Sequence, residues 1–379
     1  MKKIDFLIVG AGMFGCVIAE RIANILKKNV LIIDKRDHIG GNCYSQIDGY
    51  TGIEYHKYGT HIFHTSNSKV IDYILNFTKF NNYNHQVLTN HNNKVYQMPI
   101  NLETINSYFN KSLNPEGAKK FLKKITLKDK FLRPLNFEEK AISQIGKDLY
   151  NAFIKNYTIK QWNKNPIDLP ASIFNRLPIR FNYNENYFHN YNLQGIPLDG
   201  YTNLFKNLID NKRIKIELKK DYFENLNKID VKYFTIYTGP IDKLFNYEFG
   251  KLEWRSLKFQ KIVKNINDYQ GTSVMNFADI SPRYTRIHEP KHLHPERTNI
   301  FESNKTLIIK EYSILNEDEP YYPINSKKNI ILSKKYKALA KNFKNILLGG
   351  RLADYAYYDM DMTISAALKK FEYIQTIVE

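Results

Sequence analysis

Residues 4–15 read Ile-Asp-Phe-Leu-Ile-Val-Gly-Ala-Gly-Met-Phe-Gly, an apolar run that stops at three glycines spaced G-x-G-x-x-G. Ile4 to Val9 has the length and composition of a buried parallel strand. From Met13 to Lys27 apolar residues recur at helical spacing, and Val30 to Ile33 is a second strand closed by Asp34. Each part of this βαβ unit has a task. Gly10 permits the tight turn, Gly12 lets a pyrophosphate approach the backbone, and Gly15 allows the helix to pack closely on the strand. The free N–H groups and dipole at the helix start attract the anion. Asp34, 19 residues past Gly15, stands where a carboxylate accepts hydrogen bonds from adenosine ribose hydroxyls. A glycine turn in an unrelated βα unit would not explain Asp34.

Outward from this unit, Lys35-Arg36-Asp37-His38-Ile39-Gly40-Gly41-Asn42 places a second glycine pair just after the acid. That arrangement resembles the FAD-binding family of amine oxidases and their relatives, where the pair brings backbone close to the flavin end of the cofactor. Near the other end of the sequence, Leu347-Leu348-Gly349-Gly350-Arg351 reads as a strand entering a glycine turn. It precedes Asp359-Met360-Asp361-Met362 and an amphipathic helix from Thr363 to about Ile377. A helix N-terminus there can face the negative pyrimidine edge of an isoalloxazine.

The 379 residues exceed one ordinary domain, so two or three domains are expected. Cys16 and Cys43 make no disulfide framework and no C-x-x-C pair, which favours a reducing, cytoplasmic setting. Phe6 to Ala19 is too short for a membrane span and is interrupted by three glycines, so neither export nor membrane insertion is expected. The net charge of +18 favours an anionic partner. Much of the excess is Lys scattered through Asn-rich segments, and nothing like a recognition helix accompanies it, so nucleic acid is not the expected partner.

The pattern implies an α/β fold: a discontinuous FAD-binding Rossmann-like domain, an inserted helical domain and a mostly antiparallel β-sheet domain. The expected boundaries are 1–80, 200–245 and 330–379 for the first, and 98–175 for the second, with a mobile substrate loop at its C-terminal end. Residues 81–97, 176–199 and 246–329 form the third. Helical periodicity is clearest at 107–109, 118–125 and 138–157, and strand-like runs at 233–237, 273–277 and 306–309.

Three imidazoles, His56, His61 and His64, fall within nine residues. His61 and His64 would share a helical face, yet no carboxylate or Cys pattern completes a metal set, so no metal is expected. His288, His292 and His294 read as solvent-exposed. Tyr321, Tyr322, Tyr355, Tyr357 and Tyr358 lie beside prolines and glycine turns, where they can stack on a base or donate to phosphate. Arg176, Arg180, Arg255 and Arg286 sit in or beside breaks of pattern, and a guanidinium fork suits a diphosphate. Together they describe a cleft for a nucleotide-diphosphate ligand in addition to a flavin. No Ser/His/Asp order, Walker motif or carboxylate pair is evident.

In order along the chain, HKYGTHIFHT (56–65), QWNK (161–164), RLPIRF (176–181), QGIPLDGYT (194–202), YTGPID (237–242), EWRSLKF (253–259), YTRI (284–287), EPYYPI (319–324) and GGRLADYAYYDM (349–360) strongly resemble bacterial UDP-galactopyranose mutases. The resemblance implies interconversion of UDP-galactopyranose and UDP-galactofuranose by covalent catalysis through N5 of reduced FAD. The N-acetylgalactosamine analogue is a further candidate substrate, because Thr60 lies near the expected flavin–sugar pocket. By the same resemblance, Arg176 and Arg286 neutralise the diphosphate. Arg176 falls in the Pro166–Pro178 loop that closes over substrate. Phe153 and Tyr157 stack on uridine with Thr158 and Trp162 beside them. Tyr187, Tyr322 and Tyr357 bond the phosphates, and Asn276 is a further substrate contact. His64, with His61, lies at the flavin face as a catalytic candidate. The expected cofactor contacts are Gly10, Gly12, Phe14, Gly15, Asp34, Lys35, Gly41, Asn42, His61, Ile62, Arg351, Tyr357, Asp359 and Met360. Asn156 and Asn163 depart from the family pattern, Asn163 falling where relatives often carry Gly. The implied partners are a UDP-sugar, an electron donor such as NAD(P)H or a reductase, and a second copy in a homodimer.

Overall fold

The computed structural model describes residues 2–379 apart from 130, 132, 177, 189–190, 226–227 and 316–318, and leaves the side chains of residues 2, 129, 175 and 176 undescribed. Lys2–Val9 lies at the centre of a five-stranded parallel sheet in the order 346–348, 229–237, 2–9, 30–34, 214–218. Phe6, Leu7 and Ile8 are no more than 3% exposed, as expected of a strand covered on both faces. Helix Met13–Arg21 continues into the π-turn Ile22–Leu26, and Lys27 ends it in the left-handed region at φ 56°. This helix packs against the C-terminal helix Met360–Val378, so strand Ile346–Leu348 and that helix return the chain to its start.

The second sheet has seven strands in the order 322–323, 254–264, 306–314, 286–288, 274–277, 87–91, 94–98. All neighbours run antiparallel except 274–277 with 87–91, where Met275 faces Leu88 in parallel. Segment 176–199 contributes no strand to this sheet among the described residues. Its strand Leu193–Gly195 pairs with Phe63–Thr65 beside the dinucleotide unit.

Between them lies the helical insert, Leu102–Phe109, Pro115–Thr126 and Phe137–Leu149, around a core that includes Ile105, Leu122, Ile145 and Leu149. The asparagine-rich composition has a local use here. Asn101, Asn114 and Asn136 each accept the backbone N–H three residues on, the N-cap geometry that satisfies an orphan donor. Gly146 (φ 79°) breaks the third helix. A π-turn, Tyr150–Lys155, then leads into the short helix Asn156–Trp162. That helix stops at Asn163, left-handed at φ 49°, whose N–H reaches Ile159 O at 2.8 Å. Asn tolerates this conformation better than most side chains, so it serves where a glycine would otherwise end the helix.

Among the described residues no helix is long and apolar enough to cross a membrane.

Candidate active site

At the C-terminal ends of the parallel strands two glycine turns face each other. Gly10 adopts φ 112° and its N–H reaches Ile33 O at 2.8 Å. Across the slot, Gly40 N–H donates to Ala11 O at 2.8 Å, and a Cβ on Gly41 would lie 3.0 Å from Gly12 Cα. Both turns therefore present bare backbone. Ala11 N–H donates to Asp34 Oδ2 at 2.8 Å and Arg36 N–H to Oδ1 at 2.9 Å, so Asp34 clamps the turn. An ionised carboxylate accepts about four hydrogen bonds, which leaves capacity for ribose hydroxyls. Phe14 is 4% exposed and its ring backs the Gly349-Gly350 turn. Gly15 sits in the first turn of the helix, whose N-cap, Gly12, brings no side-chain partner to the free N–H groups.

Beside Asp34, Arg36 was not anticipated as part of this end of the site. Its guanidinium lies 4.3 Å from the Tyr58 ring centroid, pairs with Glu319 and donates to Asn42 Oδ1 at 3.0 Å. Lys35 reaches the same Glu319 at 3.9 Å. The helix Met360–Val378 starts at N-cap Asp359, whose side chain makes no capping bond, and carries the positive end of its dipole there, with Met362 N–H turned to Asp361 Oδ1 at 2.7 Å. These features fit an adenine dinucleotide with a flavin reaching toward that helix.

The three histidines of 56–64 lie in extended and turn structure rather than on a helix, and each ring bonds the backbone. His56 Nδ1 accepts His61 N–H at 3.0 Å, His61 Nδ1 is 2.7 Å from Gly59 O, and His64 Nδ1 is 3.1 Å from Ile62 O. Ile62 is 6% exposed, in the core. The His64 ring stacks on Phe188 with centroids 3.8 Å apart.

Arg286 is the centre of the second part. It opens a strand in which it faces Glu311 on one side and Asn276 on the other. Its Nη2 donates to the Tyr157 hydroxyl, and its Nε lies 3.4 Å from Glu311 Oε1. Burial works against the charge of Arg286, but Glu311, Tyr157, Tyr322 and Tyr187 outweigh it and raise its pKa. Burial likewise pushes the Glu311 carboxyl up, yet Arg286 and His288 hold it down to about 2. Tyr322 and Tyr357 stack in parallel 5.7 Å apart, and the Arg351 guanidinium lies 5.9 and 5.4 Å from their centroids. Tyr187 lies edge-on to His85 at 5.4 Å. Arg286 Nε and Asn276 Oδ1 are buried and form no hydrogen bond among the described residues.

Lys160, also unanticipated, pins the helix that carries Tyr157. Its Nζ donates to the carbonyls of Phe277, Pro282 and Tyr284 at 2.7, 3.0 and 3.0 Å, and burial pushes its pKa down to about 8. Trp162, at the end of the same helix, packs on the helical core.

Phe153 is 3% exposed among Tyr96, Tyr108 and His91 in edge-on contacts of 5.0–5.6 Å. Thr158 is buried. The side chain of Arg176 lies outside the described residues. Arg180 donates to Asn184 O at 3.1 Å, and Arg255 donates to Gln161 O at 3.2 Å and Ser313 Oγ at 2.5 Å while its Nη1 is buried and unbonded among the described residues. Tyr321 and Tyr355 are core residues at 4% and 5% exposure.

The expectation that His288, His292 and His294 are exposed is corrected by the sheet. His288 and His294 are buried, and His292 is braced between Asp268 (3.2 Å) and Glu289 (3.7 Å). Glu289 also accepts from Tyr269 N, Gln270 N and Thr306 Oγ1, which reads as an ion-paired brace between loops.

Burial, with Arg286 and His288 adding to it, holds the pKa of His85 down to about 3. His61 is held down to about 4, mainly by burial. Unfolded histidine titrates near 6.5, so between about pH 6.5 and about pH 4 the unfolded chain binds protons that the fold excludes. Stability therefore falls as pH falls, by at most about 1.4 kcal/mol per pH unit for each histidine. His85→Phe should flatten that decline in urea midpoints between about pH 7 and about pH 5. Parallel curves for the two proteins would show that His85 contributes nothing to it.

Residues 152–357 match the family model described as UDP-galactopyranose mutase, and residues 8–76 match a model for an NAD(P)-binding Rossmann-like domain. A probable UDP-galactopyranose mutase of Klebsiella pneumoniae is 42% identical over 97% of this chain and 94% of its own. A dTDP-fucopyranose mutase of Escherichia coli is 40% identical over 97% of both chains. A UDP-galactopyranose mutase of Mycoplasma genitalium is 36% identical over 98% of this chain and 94% of its own. Among solved structures, a reduced UDP-galactopyranose mutase aligns with a TM-score of 0.76 at 14% identity, over 99% of this chain and 96% of that one. A putrescine oxidase with bound putrescine aligns at 0.56 and 10% identity over 99% of each chain. At such identities the structural matches speak for the fold alone.

Proposed function

The chain belongs to the UDP-galactopyranose mutase family, and we propose that it interconverts UDP-galactopyranose and UDP-galactofuranose by the flavin-dependent route of its relatives. FAD is the cofactor, and its reduced form supplies the nucleophile, N5, for the anomeric carbon. The chain's own residues bind, orient and balance charge. Arg286 neutralises the diphosphate and eases its departure, with Arg176 as a second cation on the loop. Burial keeps the Tyr157 and Tyr322 hydroxyls protonated, so they act as donors to phosphate. Tyr187, Tyr357 and Asn276 complete the polar set, and Trp162 flanks the uridine. His61, His64 and the backbone around Ile62 line the flavin face. The observation that carries this reading is Arg286 itself, a guanidinium that faces Glu311 through Nε and the Tyr157 hydroxyl through Nη2, with Tyr322 and Tyr187 acting on its charge.

The Escherichia coli relative favours a second sugar nucleotide, dTDP-fucose. The test is a substrate panel with dithionite-reduced protein: UDP-galactofuranose, its N-acetylgalactosamine analogue and dTDP-fucofuranose. UDP-galactofuranose is expected to give the highest kcat/KM, and a clear preference for the thymidine nucleotide would transfer the assignment. We further propose a cytoplasmic homodimer that supplies furanose sugar for cell-surface glycans such as lipopolysaccharide. Its flavin would be kept reduced by NAD(P)H or a reductase.

A further inference from the structure

His288 lies on the strand Arg286–His288, in the interior of the seven-stranded sheet, and is 3% exposed. Both its ring nitrogens are engaged. Nε2 is 2.8 Å from Glu311 Oε2, and Nδ1 is 2.7 Å from Thr60 Oγ1. The other Glu311 oxygen, Oε1, faces Arg286 Nε at 3.4 Å. Thr60 belongs to the 59–61 turn of the expected flavin face, and that turn lies directly over the carboxylate, since a Cβ on Gly59 would lie 3.9 Å from Glu311 Oε2. The four side chains Thr60, His288, Glu311 and Arg286 thus form one line, two hydrogen bonds followed by an ion pair, from the flavin-facing turn to the diphosphate-facing guanidinium.

Hydrogen bookkeeping gives the chain a direction. A carboxylate only accepts, so Nε2 carries the hydrogen and donates it to Glu311. In the neutral imidazole, with that hydrogen on Nε2, the Nδ1 lone pair takes the hydroxyl hydrogen of Thr60. The imidazole is then fixed at both ends, and it fixes in turn which Glu311 oxygen is left for Arg286.

We propose that His288 is a positioning residue: through Glu311 it sets the guanidinium of Arg286 for the diphosphate, and through Thr60 it ties that setting to the turn at the flavin. The proposal rests on the mutase reading for its consequence in turnover, but the hydrogen-bond chain itself is independent of the reaction. His288→Gln places an amide N–H where Nε2 stood and keeps the Glu311 link. His288→Asn places its amide where Nδ1 stood and keeps only the Thr60 link. Thr60→Val removes the hydroxyl at nearly constant volume.

The experiment measures UDP affinity, kcat/KM with reduced protein and thermal midpoint for wild type, the three variants and Thr60→Val/His288→Gln. Loss of a buried hydrogen bond to a charged group predicts that His288→Asn lowers UDP affinity about 10-fold or more, whereas His288→Gln stays within about 3-fold of wild type. Thr60→Val should weaken UDP binding by about 3-fold in wild type and add nothing in the His288→Gln background, because one continuous chain is non-additive. Nitrogen-15 spectra of the labelled histidines supply the arm that does not need the reaction. One imidazole, missing in His288→Gln, should be an Nε2–H tautomer with Nδ1 accepting, and Thr60→Val should shift it. Equal losses in His288→Gln and His288→Asn, or full additivity with Thr60→Val, would overturn the proposal. So would an Nδ1–H tautomer. If reduced wild type fails to turn over any sugar nucleotide while the spectra follow the expected pattern, the mutase reading falls and the chain of hydrogen bonds stands.

Discussion

Arg286→Ala is expected to lower kcat/KM roughly 10²–10⁴-fold and to leave the protein yellow. The size follows from what the substitution leaves behind. Glu311 is 6% exposed, its carboxyl is held down to about 2 by Arg286 and His288, and removing the guanidinium strands a buried negative charge. Breaking a buried pair from one side costs about 3–5 kcal/mol. Here the stranded charge would also stand where the substrate brings its diphosphate, so repulsion replaces attraction in the step where charge develops on the leaving phosphate. Arg286→Lys should recover little, because the strand sets one group between Glu311 and the Tyr157 hydroxyl, and a fork reaches both where a point charge meets one. Flavin retention, read from the visible absorbance of the purified variant, separates this from damage to the cofactor site. Loss of colour on replacing Arg286 would place that residue at the flavin and contradict the arrangement.

The opposite phenotype is expected of Gly10→Ala. Gly10 has φ 112°, and a Cβ there would lie 2.1 Å from Thr238 Oγ1, a hydroxyl held by its own bond to Val9 O at 2.7 Å. Neither obstacle is a flexible chain end: one is the backbone conformation, the other a short β-branched side chain in the adjoining strand's turn. Relief requires the turn to shift, and the turn is the surface that accepts the pyrophosphate. The variant should purify with little bound flavin and a depressed thermal midpoint, and added FAD should restore little of either. A yellow Gly10→Ala protein with wild-type stability would mean that the cofactor does not approach this turn.

The dinucleotide half was legible because its rules are local. Residues 4–34 carry strand, turn, helix, strand and acid within one continuous stretch, and each residue type there answers a backbone requirement. The far end was legible as well, since Gly349-Gly350 and the helix after Asp359 repeat the same kind of punctuation. What escaped was everything set by register between distant strands. Glu311 faces Arg286 and His288 faces Ile309 only because strand 286–288 pairs antiparallel with 306–314. A single sequence shows His288 beside a proline-containing loop and hides the sheet that buries it. A signal existed in Glu311, two residues past Ile309 on the same face of the strand as that buried apolar residue, while its neighbour Lys310 falls on the opposite face, so the carboxylate demands a basic partner from another strand. Arg255 misled in the reverse way. A guanidinium beside a pattern break looks exposed, yet it is 2% exposed, with Nε and Nη2 donating to Gln161 and Ser313.

The proposed reaction needs the reduced flavin yet leaves no net change of redox state. Turnover of UDP-galactofuranose by one preparation, assayed oxidised and then after dithionite reduction, tests it most directly. Conversion to UDP-galactopyranose is expected from the reduced protein at a rate at least about 10²-fold above the oxidised protein, since only the reduced ring offers a nucleophile at N5. Equal turnover in the two states would contradict it.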